Sequence, residues 1–331
     1  MKLQLSHPIL RHLFGTGLFL ALTGGLLIAC GQRASLSLMQ PNGVAQAADG
    51  TLFIMDFGNH RIAHMSQNGK LIRSIGTFGA NEAQIFHGYD LAIGPDGNIY
   101  ICNMVSNDEG VLHDGIKVFG PGGSFVREIG GHDYDVTSLD PSYRSYGLDI
   151  DKAGRIYTAD YGTTTVRVFT NAGELLAELP IVRADGEIPT GINDIAVDDA
   201  RNLIYISDFD LGKIDQFSLT FDTEGIPSIA HLTTIAIYGR EAGEVAFPQY
   251  LDVNDTDGTV FVGDMANRRI QIFDAQGSYV ANFAPPNLDD WQNMGINLTP
   301  TGDLLVADAF NNAIWIFTPE GIVRNRVEGK P

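Results

Sequence analysis

The residues of this chain whose types could support chemistry are a group of histidines and a recurring set of aspartates. His60, His87, His113 and His132 fall in the first half of the sequence. Three imidazoles around an open coordination position suit a catalytic Zn²⁺. Asp149 and Asp252 lie inside apolar runs, and Asp90 and Asp194 stand immediately before two others. A carboxylate in such a place must be hydrated, paired or metal-bound, because an isolated buried charge is costly. Ca²⁺ held by Asp and backbone carbonyls meets that need with oxygen ligands, and ordered water meets it equally well. The candidate metal ligands are therefore His87, His113, His132, Asp149 and Asp252. His60 stands in a recurring turn, and His64 and His231 fall within predicted strands, where a hydrogen-bonded or surface histidine is expected. The sequence contains no G-x-S-x-G elbow, no H-E-x-x-H and no phosphate-binding loop. The acidic stretch DVNDTDG (252–258) resembles a Ca²⁺ loop only superficially, since it spans a strand end and a hairpin turn.

What positions these residues is a repeat. Apolar runs begin at Val44, Leu91, Leu148, Ile195, Leu251 and Ile296, and in each copy a second run ends at Asp56, Asn103, Asp160, Asp208, Asp264 or Asp308. The runs alternate and favour β-branched and aromatic residues, as strands do. A Gly turn separates the two runs in every copy but the fourth, which has Ala200-Arg201-Asn202 instead. A third strand closes on Met65, Phe119, Phe169, Phe217, Phe273 or Phe317, and a second tight turn leads to a fourth strand. Short turns force antiparallel neighbours, so each copy reads as a four-stranded meander. A lone meander exposes both faces, and copies arranged radially bury those faces against one another. The expectation is all-β: a six-bladed β-propeller, with blades starting near residues 42, 89, 146, 193, 249 and 294.

The segments MDFGNHRI (55–62) and GDMANRRI (263–270) carry a family resemblance. The units resemble NHL repeats, whose pattern runs GIAVD, DGxIYVAD, xxNHRI, F and xxG. Copies 1, 3, 5 and 6 follow the pattern well. Copy 2 carries an insertion at 104–114, and copy 4 diverges most. The resemblance covers about residues 41–327 and speaks for fold more than for activity. In such a propeller the Gly turns share one face, and the long joins between blades share the other. Residues at the start of the inner strands then ring the mouth of the central channel: Asn42, Asp90, Tyr146, Asn193, Asp194, Tyr250 and Asn297, with Asp149 and Asp252 replacing the family's small residue. The joins at 130–146, 180–193, 237–250 and 283–294 vary most. They hold Asp133, Asp135, Asp140, Asp185, Glu187, Glu241, Glu244, Asp289 and Asp290 among Tyr134, Tyr143, Tyr146, Tyr250 and Trp291. These are either solvated acidic loops or a recognition surface for a protein, peptide or glycan partner. How the ring closes stays open: by packing alone, or by residues 35–39 adding to the last blade. The alternative to a binding module is a metal-dependent lyase or hydrolase at the channel mouth, with Zn²⁺, since some NHL propellers are peptidyl-amidoglycolate lyases. The histidine pattern of those enzymes is not matched on the inner strands.

The N-terminus reads as an address. Residues 1–29 have Lys2 and Arg11 as their only charges and an uncharged apolar run at 13–29, the layout of an export signal. The run ends in Leu27-Ile28-Ala29-Cys30, which resembles a bacterial lipobox, making Cys30 a lipidated N-terminus followed by a short linker to residue 40. An acylated Cys is a stable anchor. The resemblance places the mature protein at the cell membrane, or at the outer membrane where the host has one. The full chain carries a net charge of −19, and loss of the signal's two basic residues brings it to −21. Such acidity argues against nucleic acid and against an anionic membrane surface as partners, so membrane contact is expected through the lipid alone. Apart from Cys30 only Cys102 remains, so no intrachain disulfide is expected.

Overall fold

The computed structural model describes residues 37–107, 110–134, 144–288 and 290–329. The expected export signal (1–29), Cys30, Asp135, Asp140, Tyr143 and Asp289 lie outside the described residues. The architecture is a six-bladed β-propeller of antiparallel meanders, and each blade takes its strands in sequence order. The blades span residues 41–75, 87–133, 145–180, 192–238, 248–283 and 293–328. The fourth blade gains a fifth, two-residue strand, Glu244–Val245, paired parallel to the end of its outer strand. The insertion in the second blade lengthens its middle hairpin to Ile99–Asn107 and Gly110–Phe119.

The core is divided among the seams. Six apolar clusters form, one where each blade meets the next, and each holds the bulky residue that ends a third strand. Met65, Phe119, Phe169, Phe217, Phe273 and Phe317 are all buried. The aromatic column is thus packing between blades, as the repeat logic requires. A fully buried Phe of this kind typically contributes about 3–5 kcal/mol.

The recurring Asp at the end of the second strand is buried in every copy that has it. Its carboxylate fastens the incoming join. Asp56 accepts from Met39 N, Asp160 from Arg144 N, Asp264 from Ala246 N and Asp308 from Gln292 N. In the second copy Asn103 does the same for Phe86 N. The cation opposite comes from the third strand in the first and fifth blades, Arg61 and Arg269. The fourth blade carries Asp215 in that region, and Arg183 reaches in from the preceding join to pair with both Asp208 and Asp215.

The ring closes by packing. Among the described residues the last blade has only its own four strands, and residues 37–39 do not join that sheet. Leu38 is buried in the cluster shared by the first and last blades, Gln40 N donates to Asn312 Oδ1, and Asn325 Nδ2 donates to Gln67 O.

Candidate functional site at the channel and the join-bearing face

The inner strands bring the predicted aspartates to the channel in an alternating arrangement. Taking Val44, Leu91, Leu148, Ile195, Leu251 and Ile296 as equivalent, blades 2 and 4 carry Asp one residue before this position, and blades 3 and 5 carry it one residue after. Each Asp bridges to the following blade. Asp90 Oδ2 accepts from Leu148 N at 3.0 Å, Asp149 Oδ2 from Val197 N at 2.8 Å, Asp194 Oδ2 from Leu251 N at 2.8 Å and Asp252 Oδ2 from Leu298 N at 2.6 Å. In Asp90, Asp149 and Asp252 the other oxygen accepts the amide of the next residue in the chain. The strands approach so closely that a side chain on Gly147 would strike Asp194. These carboxylates therefore act as staples between blades, the paired outcome among the three that burial allowed.

Burial raises their proton affinity, with neighbouring carboxylates adding to it and the amide bonds opposing. Asp90 is pushed up to about 6 and Asp252 up to about 7. Asp149, facing Asp252, and Asp194, facing Asp90, are raised well above the ordinary carboxylate range. Tyr250 is buried and its hydroxyl is raised well above its usual value by burial and by Asp90 and Asp194.

The other predicted channel residues take separate positions. Asn42 and Asn193 are buried, and Asn193 Nδ2 donates to Gln249 O in the next blade. Asn297 ends half-buried on the last inner strand. Tyr146 joins an aromatic arc on the join-bearing face. His87, His113 and His132 do not converge on one another, although His60 stacks on His87 with ring centroids 6.3 Å apart. His87 lies in that same arc. His113 sits between Glu128 and Asp133, at 2.6 and 2.5 Å. His132 packs on Tyr134 with ring centroids 4.5 Å apart. Among the described residues no three His, Cys, Asp or Glu side chains gather closely enough to hold a metal ion. Two join aromatics turn inward. Trp291 is buried and donates Nε1 to Arg268 O, and Tyr250 packs in the seam between the fifth and sixth blades. Several join carboxylates are already paired, Glu187 with Arg183 and Lys213, and Asp290 with Arg268.

The arc itself runs unbroken over three blades. Phe57 stacks on His87 at 5.4 Å and meets Tyr89 at 5.8 Å. Tyr89 meets Tyr146 at 4.6 Å, and Tyr146 meets Tyr161 at 5.4 Å. The Tyr161 hydroxyl reaches Asp210 on the fourth blade. At the other end His60 and Phe86 link His87 to Phe78, which is 57% exposed. The rings between are half-buried. His87 is driven down to about 4, chiefly by burial, so it is neutral at physiological pH. Sequence reasoning found Tyr146 and missed Phe57, Tyr89 and Tyr161. The available signal was positional: Phe57, Tyr161 and Phe209 each follow the recurring Asp directly. A row of half-buried rings can stack on an apolar or planar group.

No family model matches the chain. Solved structures share its fold. It is similar to a streptogramin B lyase structure at 13% identity and a TM-score of 0.57, over 88% of this chain and 84% of that one. A catalytically inactive virginiamycin B lyase from Staphylococcus aureus with quinupristin matches at 15% identity and 0.57, over 89% and 86%. A gluconolactonase from Xanthomonas campestris matches at 14% identity and 0.60, over 85% and 87%. These neighbours are enzymes on a six-bladed propeller, and at such identities the likeness establishes the fold.

Proposed function

We propose that the protein is an NHL-type propeller lipoprotein of the cell envelope that binds a protein or peptide partner through the aromatic arc on its join-bearing face. The observation that carries this reading is the continuity of Phe57, His87, Tyr89, Tyr146 and Tyr161 across separate blades. Interface hot spots are enriched in such rings, held rigidly and ringed by polar groups. The channel below supplies rigidity, because its carboxylates are engaged in bonds between blades. A lipid on Cys30 would hold the propeller at a membrane and leave this face to its partner.

The test is a pull-down from envelope extract with purified propeller as bait. Wild type retains a defined partner, and the Tyr89→Ala/Tyr146→Ala double variant retains it at least tenfold less, the loss expected when a hot-spot ring worth about 1.4 kcal/mol or more is removed. Equal retention by both would overturn the reading. Stoichiometric, chelator-sensitive Zn²⁺ in the same purified sample would favour the lyase or hydrolase alternative.

A further inference from the structure

The six seams are not equivalent. Those between blades 2 and 3, 3 and 4, 4 and 5, and 5 and 6 each carry an inner-strand Asp staple. At the matching positions blade 6 has Gly295 and Asn297, and blade 1 has Gly43 and Ala45. On the Gly-turn face, blades 3, 4 and 5 are also tied together. Lys152 N donates to Asp199 Oδ2, Asp199 N to Asp255 Oδ1, and Lys152 Nζ pairs with Asp255. Arg73 and Arg127 reach across the seams between blades 1 and 2 and between blades 2 and 3, to Gly122 O and Asn171 O. Between blades 6 and 1 the crossing side chain is the shorter Asn325, donating to Gln67 O at 2.8 Å. A cleft of about 740 Å³ opens there, between the turns that hold Gly50 and Thr301.

The chemistry of this cleft is specific. Its apolar lining includes Ala47, Pro300 and Ile316. Its cation, Arg324, is neutralised by Asp303 at 2.7 Å. Asp49 accepts from Thr51 N and Oγ1, which leaves the lining with one net negative charge. Gln46 and Gln67 each donate Nε2 to Gly50 O, and among the described residues no donor reaches either carboxamide oxygen. The lining thus offers both acceptors (the two carboxamide oxygens) and donors (the Arg324 guanidinium and the Thr301 hydroxyl), and its net negative charge disfavours anions. A ligand that fits it both donates and accepts hydrogen bonds and carries no negative charge. Vicinal hydroxyls on a compact ring do this, and the volume falls in the usual range for small-ligand sites.

We propose that this seam cleft, on the face opposite the aromatic arc, binds a neutral saccharide. The probe is cellobiose, titrated into the purified propeller and followed by calorimetry and by amide chemical shifts. Saturable, salt-insensitive binding is expected, with shifts confined to residues 46–50, 299–303 and 324–325. Gln46→Ala and Gln67→Ala each weaken it about tenfold, the scale of one hydrogen bond lost from a ligand site. Thr301→Arg, an exposed position, fills the cleft and abolishes binding with the unfolding midpoint unchanged, and Tyr146→Ala leaves binding intact. Absence of saturable cellobiose binding, or binding lost with Tyr146→Ala and kept with Thr301→Arg, would overturn the proposal. So would putrescine or glucuronate binding where cellobiose does not.

Discussion

Asp252 accepts one amide from its own strand and one from the next blade, inside a channel it shares with three other carboxylates. Its proton affinity is raised to about 7 and that of Asp90 to about 6, from an ordinary value of 3.8. The folded protein then holds protons that the unfolded chain has already released. The stability these groups contribute is complete below about pH 4 and is lost as pH rises through about 6 to 7. Asp252→Asn removes the titration and keeps one acceptor. Denaturant unfolding should show wild type ahead of the variant at about pH 5, with the gap shrinking or reversing by about pH 8. A gap constant across that range would contradict the shift. The sequence singled out Asp90 and Asp194 because they start inner strands, and Asp149 and Asp252 because they stand where the repeat pattern has a small residue. Their fate was not legible, since an Asp placed before or after the equivalent position matters only against the offset of the following blade. Arg183 was hidden for a similar reason: it acts from a join, while the strand's own cation at the matching position, Lys213, pairs with Glu187.

Turns show the same division between legible and hidden at the scale of the element. The Gly turns were readable, and the structure places Gly50, Gly97, Gly154, Gly258 and Gly302 at positive φ. In the fourth blade Asn202 adopts φ +52 in their place, which Asn tolerates better than most residues. The turn in MDFGNHRI was legible as a turn, but its left-handed residue is His60, at φ +51. Gly58 serves a different end, since a Cβ there would lie 2.9 Å from Met39 O. The same distinction predicts two unequal costs. A Cβ on Gly225 meets nothing within 4 Å, and only its φ of +82 is unfavourable. Gly225→Ala should cost about 1–2 kcal/mol. A Cβ on Gly295 would sit 1.7 Å from Asn42 O across the closing seam. Backbone must move to admit it, so Gly295→Ala should cost more, about 3 kcal/mol. Equal unfolding free energies for the two variants would show that the seam is not closed by this contact.

For the whole molecule, the strand pattern and its six-fold count were legible because period-2 alternation and turn chemistry repeat in every copy. The closing of the ring and the aromatic arc were not, because both depend on residues far apart in sequence: Leu38 against the last blade, and Phe57 against His87 and Tyr89. Among the described residues no helix is long and apolar enough to cross a membrane. Under the proposed lipoprotein reading, membrane association depends on Cys30. Cys30→Ser should move the protein from the membrane to the soluble fraction, and unchanged sedimentation with membranes would remove the lipid anchor from the account. The central claim is that the join-bearing face is where the partner docks. It is tested most directly by placing a photo-crosslinking phenylalanine analogue at Phe78, 57% exposed at the end of the arc, and at Val280, 57% exposed on an outer strand. Irradiation of living cells should give one discrete adduct from position 78 and none from 280, and Tyr146→Ala should abolish it. Adducts of equal yield from both positions, or an adduct from 280 alone, would contradict the account.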